Sequence, residues 1–470
     1  MLDYKKLGFK CGLEVHVQLD TKKLFCQCPS LVNDPSPVNF IITRNLRATE
    51  GEAGEKDVAA EFEEAKKKTF LYEGTETSSC LVDFDDEPPH TINKEAIEVA
   101  LQVASILNMK IVPEILVMRK IVIDGSMPSG FQRTALIGRD GFIATSKGKI
   151  NIQTLYLEEE AAKKILEAEE IITYRLDRLG IPLLEIATSP DLQDPEHVKE
   201  TASLIGMIVK STGKAKPGIG SIRQDVNISI REHPRVELKG FQDFRSIPKV
   251  LDIEIERQQK TKEKSHVRKV EPNFTTSFLR PMPSSARLYP ETDIPNTEIT
   301  KQLLNSIKIP ELITDRAINF EKKYNLPPQY AQEIIKKNIP FDYYAEKYCL
   351  EPRLIANTLI EVPKELKARF NTKQEPKQQH FEFIFDLLAK KQIQKDAIME
   401  ILKDLVENRK PDLSKYGTVS LEDLEMFIKE LAQKNPGVSS GGLMGDIMKK
   451  YRGSVDGKLV MKILNKYKKA

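Results

Sequence analysis

The sequence has no tryptophan, only five cysteines, and no apolar run approaching the roughly 18–20 residues that cross a bilayer. The first stretch lacks a charged region followed by an apolar one, so no secretory signal is expected and the cytoplasm is the expected compartment. Five cysteines (Cys11, Cys26, Cys28, Cys80 and Cys349) are an odd number in a long chain, which excludes a fully paired disulfide framework. Net charge is nearly absent too: 72 basic residues against 69 acidic ones leave +3. No internal repeat or low-complexity tract interrupts the chain. A Gly-Lys-Ser/Thr step opening a helix is missing, which excludes a P-loop. The six histidines lie in unrelated contexts and support no Ser/His/Asp or Cys/His nucleophile.

The near-zero net charge hides an uneven distribution. Residues 51–90 carry twelve Asp/Glu against four Lys. The last thirty residues carry eight basic side chains, Lys449, Lys450, Arg452, Lys458, Lys462, Lys466, Lys468 and Lys469, against Asp446 and Asp456. A basic segment with helical spacing is either an electrostatic contact to nucleic acid or a solvated helix face.

At 470 residues the chain has room for about three domains of roughly 100–200 residues. The clearest pattern is at Phe9–Leu19, where Phe9, Cys11, Leu13, Val15, Val17 and Leu19 are apolar and the residues between them polar or small. Period-two alternation predicts a half-buried strand, with Glu14 and His16 on its polar face about 7 Å apart. That face is either a solvated surface or a place for a cation or a proton. A helix is expected over Asn93–Asn108, capped by Asn93, and another from Asp194-Pro195 to Ser211. Short strands are expected between 111 and 190, with a Gly/Ser/Gln/Arg loop over 127–139 and a short helix after Glu158-Glu159-Glu160. A second alternating strand, Ser221–Ile230, places Arg223, Asp225, Asn227 and Ser229 on one face. From Glu298 onward helical periodicity dominates, and prolines at 310, 327, 328, 340, 352 and 363 break it into short helices. The fold class is α+β: a mixed or antiparallel sheet domain over 1–297, a helical domain over 298–370, and a helical tail domain over 371–470.

Three groups carry the chemistry. They are Glu14 with His16, the carboxylates Glu158 to Glu160, and Glu185 inside the apolar run Leu183–Ala187, where an unpaired carboxylate is costly to bury. Carboxylates with one imidazole suit Mg²⁺, which keeps waters and bridges phosphate oxygens, rather than structural zinc. The loop Lys216–Arg223, with Gly218 and Gly220, is either a phosphate cradle or a hairpin loop. Cys26-x-Cys28 with Cys80 and Asp83 is half of a zinc site, short of a fourth thiol.

These segments together resemble the B/E family of tRNA-dependent amidotransferase subunits, and most closely its archaeal E-type branch. The resemblance rests on Gly12–Leu19, Leu24-Phe25-Cys26, Asp86–His90, Ser129–Thr134, Leu157-Glu158-Glu159, Arg178–Glu185, Gly220–Asn227, Glu237–Gly240 and Tyr289–Asp293, spread over most of residues 8–295. It continues around Asn435–Lys449. It implies a cradle-shaped catalytic domain, a helical domain and a tail that binds tRNA. It implies ATP and Mg²⁺ as cofactors, tRNA(Gln) as the carrier, and an asparaginase-like amidase as the ammonia-donating partner. The implied reaction is phosphorylation of the γ-carboxylate of Glu-tRNA(Gln), then displacement of phosphate by ammonia to give Gln-tRNA(Gln). By motif, His16, Glu159 and Glu185 are the expected metal ligands with Glu14 beside them. Arg223 and Lys239 are the expected charge stabilisers, and Ser129, Gln132, Gly218 and Gly220 the expected substrate and ATP contacts. Two other readings remain: a bacterial B-type homologue that also takes Asp-tRNA(Asn), and a non-catalytic tRNA-binding scaffold. One departure stands out. The archaeal branch carries a large aspartyl-tRNA-synthetase-like insert, and here only a short connector near Lys260–Asn273 occupies its place.

Overall fold

In the computed structural model, residues 2–50, 54–241, 243–283, 288–370, 372, 374–413, 421–451 and 457–468 are described. The chain forms two compact units, Met1–Leu312 and Ile313–Ala470.

The first unit begins with β1 (Lys10–Gln18), β2 (Phe40–Asn45), α1 (Val58–Glu64), β3 (Thr69–Gly74) and α2 (Lys94–Ile106). Next come β4 (Lys110–Ile111), β5 (Glu114–Ile115), β6 (Val117–Ile121), β7 (Phe131–Thr145), β8 (Gly148–Glu159), β9 (Lys163–Glu167), β10 (Ile171–Arg175) and β11 (Pro182–Thr188). It ends with α3 (Pro195–Ser211), β12 (Ile222–Ser229), β13 (Val236–Lys239), α4 (Ile247–Lys260), β14 (His266–Val270), β15 (Thr276–Pro281), β16 (Leu288–Pro290), β17 (Thr297–Glu298) and α5 (Lys301–Ser306).

The alternation of β1 sets the architecture. Cys11, Leu13, Val15, Val17 and Leu19 are all at most 1% exposed. They share one core with Ala100, Leu101 and Ala104 of α2, Val198, Ile205 and Val209 of α3, and Val250, Leu251 and Ile255 of α4. Each fully buried Leu or Val contributes roughly 1.5–3 kcal/mol, so the helices are held on that face and the opposite face of β1 is left polar. An 11-stranded sheet, ordered β15-β14-β13-β12-β1-β11-β8-β7-β6-β16 with β4 beside β7, carries this polar face. Its pairs are antiparallel except β13 with β14. A smaller sheet, β2-β3-β10-β9, has its own core of Phe70, Tyr72, Ile172 and Tyr174.

Both expected helix caps are present: Asn93 accepts the Ala96 amide, and Asp194 accepts the His197 amide with Pro195 in the first turn. Three local expectations are corrected. Lys163–Glu167 is strand β9, not a short helix, because it pairs antiparallel with β10. The expected loop over 127–139 ends at Gly130, since β7 begins at Phe131 and pairs with β6 and β8. The acidic stretch 50–70 is helical only over Val58–Glu64, where Asp57 accepts the Ala59 and Ala60 amides. The first unit continues past residue 297 because β17 pairs with β5 and Leu303, Leu304 and Ile307 pack on the main core.

The second unit is helical: α6 (Ile313–Tyr324), α7 (Pro328–Lys336), α8 (Phe341–Tyr348), α9 (Pro352–Phe370), α10 (Gln378–Ala389), α11 (Ile398–Val406), α12 (Leu421–Lys434), α13 (Ser440–Tyr451) and α14 (Gly457–Lys468). Pro363, expected to break a helix, lies inside α9. Leu359, Ile360, Val362 and Leu366 are buried around it, and that packing outweighs the cost of about 3 kcal/mol for an interior proline. Helices α6 to α11 share one core, and α12 to α14 form another around Leu424, Ile428, Ile447, Val460 and Leu464. No helix among the described residues is long and apolar enough to cross a membrane. Of the basic tail, Arg452 and Lys469 lie outside the described residues, and Lys466 pairs with Glu425 at 2.7 Å.

Candidate active site

The site is built on three adjacent antiparallel strands, β11, β1 and β12. Their register sets His16 opposite Glu185 on one side and Arg223 on the other, and sets Glu14 opposite Asp225. Strand periodicity then puts all five side chains on the polar face. His16 Nε2 lies 3.2 Å from Glu185 Oε2. Ligand atoms of Glu14, His16 and Asp225 all lie within 4.8 Å of one another. Beside them, Lys120 Nζ of β6 reaches Glu158 Oε1 at 2.9 Å and Glu185 Oε2 at 3.4 Å. Glu158 also accepts from Gln132 Nε2 at 3.1 Å and Thr134 Oγ1 at 2.7 Å.

Electrostatics follow from this crowding. Burial, then the neighbouring Glu185 charge, raises the Glu14 carboxyl to about 7. Burial works against the charged form of His16, but the hydrogen bond and charge of Glu185 outweigh it and raise the imidazole. For Glu185 burial is likewise overcome, chiefly by Lys120 and His16, and the carboxyl stays well below its usual range. Glu158 is pushed up by burial and by Glu185.

The expected metal set His16, Glu159 and Glu185 is only partly brought together. His16 and Glu185 meet, but Glu159 projects from the opposite face of β8 and takes the Arg133 amide at 2.9 Å and the Arg133 guanidinium at 3.5 Å. Its neighbour Glu158 is the carboxylate on the polar face. A signal for this lies in the sequence, since buried Leu155 and Leu157 share Glu159's phase and Tyr156 shares that of Glu158. The oxygen donor next to His16, besides Glu14, is Asp225, which the alternation of 221–230 had already placed on this face.

Arg223 and Lys239 stand at the wall but are engaged. Arg223 Nη2 binds Glu160 at 2.8 Å, and Gln18 Nε2 donates to the same carboxylate. Lys239 Nζ holds both Asp225 and Glu237 at 2.7 Å. Ser129 Oγ donates to the Phe131 carbonyl and shapes the turn into β7. Gly218 and Gly220 adopt φ of 111° and 86°, conformations open chiefly to glycine, and Ser221 Oγ closes that loop on the Gly218 carbonyl at 2.8 Å. Lys120 was missed; its only sequence signal is a lysine at an alternating position of a short strand.

Apart from this wall, Cys26, Cys28, Cys80 and Asp83 also bring their ligand atoms within 4.8 Å of one another. The fourth position is a carboxylate, and buried Lys23 already holds it at 3.0 Å.

An imidazole and two carboxylates whose donors converge, with cations on either side, suit a hard divalent ion and a polyanionic substrate. Comparison with known proteins fits that chemistry. Residues 9–305 match the GatB/GatE catalytic domain and residues 340–467 the GatB domain. The chain is similar to the E-type subunit of glutamyl-tRNA(Gln) amidotransferase from Methanosarcina barkeri, 35% identical over 624 aligned positions that cover 99% of this chain and 98% of the relative. It is also similar to the proteins of that name from Archaeoglobus fulgidus, 35% identical with 99% of both chains covered, and Methanocaldococcus jannaschii, 32% identical with the same coverage. Alignments of that length against 470 residues run long gaps on this side. On a domain match from Phe9 to beyond β17, with relatives aligned nearly end to end, this chain belongs to the GatB/GatE family.

Proposed function

We propose that this chain is the component of a tRNA-dependent amidotransferase that activates and amidates glutamate carried on tRNA(Gln). A γ-carboxylate oxygen attacks the γ-phosphorus of ATP and ADP leaves. Ammonia then attacks the acyl carbon and phosphate leaves, giving Gln-tRNA(Gln). The observation that carries this reading is the convergence of Glu14, His16 and Asp225 on the wall where Glu185 and Lys120 meet, in a chain of this family.

The donor set fits Mg²⁺. Glu14, His16 and Asp225 would hold it, and when bound it would neutralise charge on the transferring phosphoryl group. The chain's own residues do the rest. Glu185 orients the His16 ring through the 3.2 Å contact. Lys120 offers an ammonium toward a phosphoryl oxygen, and Lys239 keeps Asp225 ionised and aimed. Arg223 stands next to His16 in the register and adds positive charge on that side. Ammonia is supplied by an asparaginase-like amidase in a heteromeric complex. With no large insert, recognition of the tRNA body falls to the lysine-rich helices α13 and α14.

The test combines the full chain with an amidase of this system, ATP, Mg²⁺ and Glu-tRNA(Gln). Formation of Gln-tRNA(Gln) is expected. Glu185→Gln is expected to lower ATP turnover roughly 10–100-fold while tRNA binding is kept; turnover unchanged in that variant would sink the reading in favour of a scaffold.

A further inference from the structure

One end of the polar wall opens into a cavity that the carboxylate centre does not use. At Ala187 β11 is still paired with Glu14. One residue later the Thr188 hydroxyl takes the Leu13 amide at 2.9 Å, and the chain swings out through Ser189 and Pro190 before Leu192 bridges back to Cys11. The gap left beside β1 is a cavity of about 380 Å³, within the range of roughly 300–1,000 Å³ typical of small-molecule sites. Lys10, Gly12, Gln153, Asn227, Ser229 and Arg235 line it, with Glu14 at its inner end.

The lining has an ordered chemistry. Gly12, paired with Asn227 in the register, has no side chain, so the strand backbone itself forms a flat floor. Asn227 donates to Glu14 Oε1 at 3.1 Å and keeps its carbonyl oxygen for another partner. Gln153 adds a second amide and Ser229 a hydroxyl, groups that match the edges of a base and the hydroxyls of a ribose. At the mouth, Lys10 and Arg235 flank Ser229 and are exposed. Among the described residues neither forms an ion pair, unlike Lys120, Arg223 and Lys239 deeper in the wall. Two unpaired cations over a slot lined with amides suit a phosphate carried on a nucleoside.

We propose that this cavity is a subsite for an adenosine nucleotide, its nucleoside over Gly12 between Gln153 and Asn227 and its phosphate on Lys10 and Arg235. The proposal rests on the function given above, and it names where that reaction takes up a nucleotide. Both substrates of that reaction carry one: ATP itself, and the terminal adenosine of the tRNA acceptor end. Because Glu14 belongs to the cavity and to the metal-ligand cluster alike, the occupant touches the reacting centre.

The test uses the full chain with two probes: a non-hydrolysable ATP analogue with Mg²⁺ by calorimetry, and an acceptor-stem minihelix ending in CCA by fluorescence anisotropy. A Cβ added at Gly12 meets nothing nearer than the Thr188 carbonyl oxygen at 3.5 Å. Gly12→Val therefore fills the slot with little disturbance, and the surface reversals Lys10→Glu and Arg235→Glu leave the core alone. All three variants are expected to weaken one probe at least tenfold and leave the other within twofold, which identifies the source of the nucleotide. If the wild type binds both probes and the variants match it, or if both probes weaken equally in the reversals alone, the subsite is overturned and the amidotransferase reading stands. If the wild type binds neither probe, that reading falls and the subsite with it.

Discussion

Glu14 is the residue whose behaviour the site changes most. Its carboxyl titrates at about 7 because burial and Glu185 disfavour the anion. Below that pH it is neutral, so a cation must displace its proton; above it the carboxylate is ready. Mg²⁺ affinity is therefore expected to rise between pH 6 and 8, and in Glu14→Gln to rise less steeply, as calorimetry in buffers of different ionisation heat would measure. Lys120 is the second sensitive point. Without its ammonium, Glu158 at 2% and Glu185 at 15% exposure face each other unneutralised. Lys120→Met is expected to destabilise the first unit by about 2 kcal/mol, below the ~3–5 kcal/mol of a fully buried pair because Lys120 is 31% exposed. Denaturant titration reads this directly, and an unchanged midpoint would count against the pairing. At this scale, Glu14, His16 and Glu185 were legible as polar positions on strands. The face of Glu159 was not, because the clustered acids mask the phase that Leu155 and Leu157 set.

Among the elements, the alternating strands and the two capped helices were legible because their signals are local: period-two burial in β1, and Asn93 and Asp194 placed before apolar periodic runs. Strands β7 and β9 were not, since polar sequences such as Phe131–Thr134 and Lys163–Glu167 become strands through partners distant in the chain. The join between the smaller sheet and the loop after β6 depends on one glycine. Gly125 has φ of 74°, its carbonyl accepts Tyr72 Oη at 2.6 Å, and a Cβ there would stand 2.3 Å from the Phe70 ring. Gly125→Ala is expected to cost about 2–4 kcal/mol, combining the left-handed backbone penalty with overpacking. Thermal melts of the variant check it.

For the whole molecule, the two units have separate cores, one centred on β1 and its helices and the others among helices α6 to α14. Two unfolding transitions are therefore expected in calorimetry rather than a single two-state step. Leu13→Ala, at a side chain 1% exposed, is expected to lower the transition of the first unit by about 2–5 kcal/mol and leave the second unmoved. A single transition that shifts as a whole would refute this independence.

By itself the sequence determined the period of each strand and helix, the caps, the change to helices after about residue 298, and the charged groups that had to be functional or paired, because each follows from neighbours along the chain. Only the tertiary structure decided which of those groups meet. Register between β11, β1 and β12 joined His16 to Glu185 and Glu14 to Asp225, pairing of β6 with β7 brought Lys120 to Glu158, and the departure of β11 at Thr188 opened the cavity over Gly12. Each depends on hydrogen bonds between residues far apart in sequence, and a one-residue slip in any of them would turn the same side chains to the opposite face.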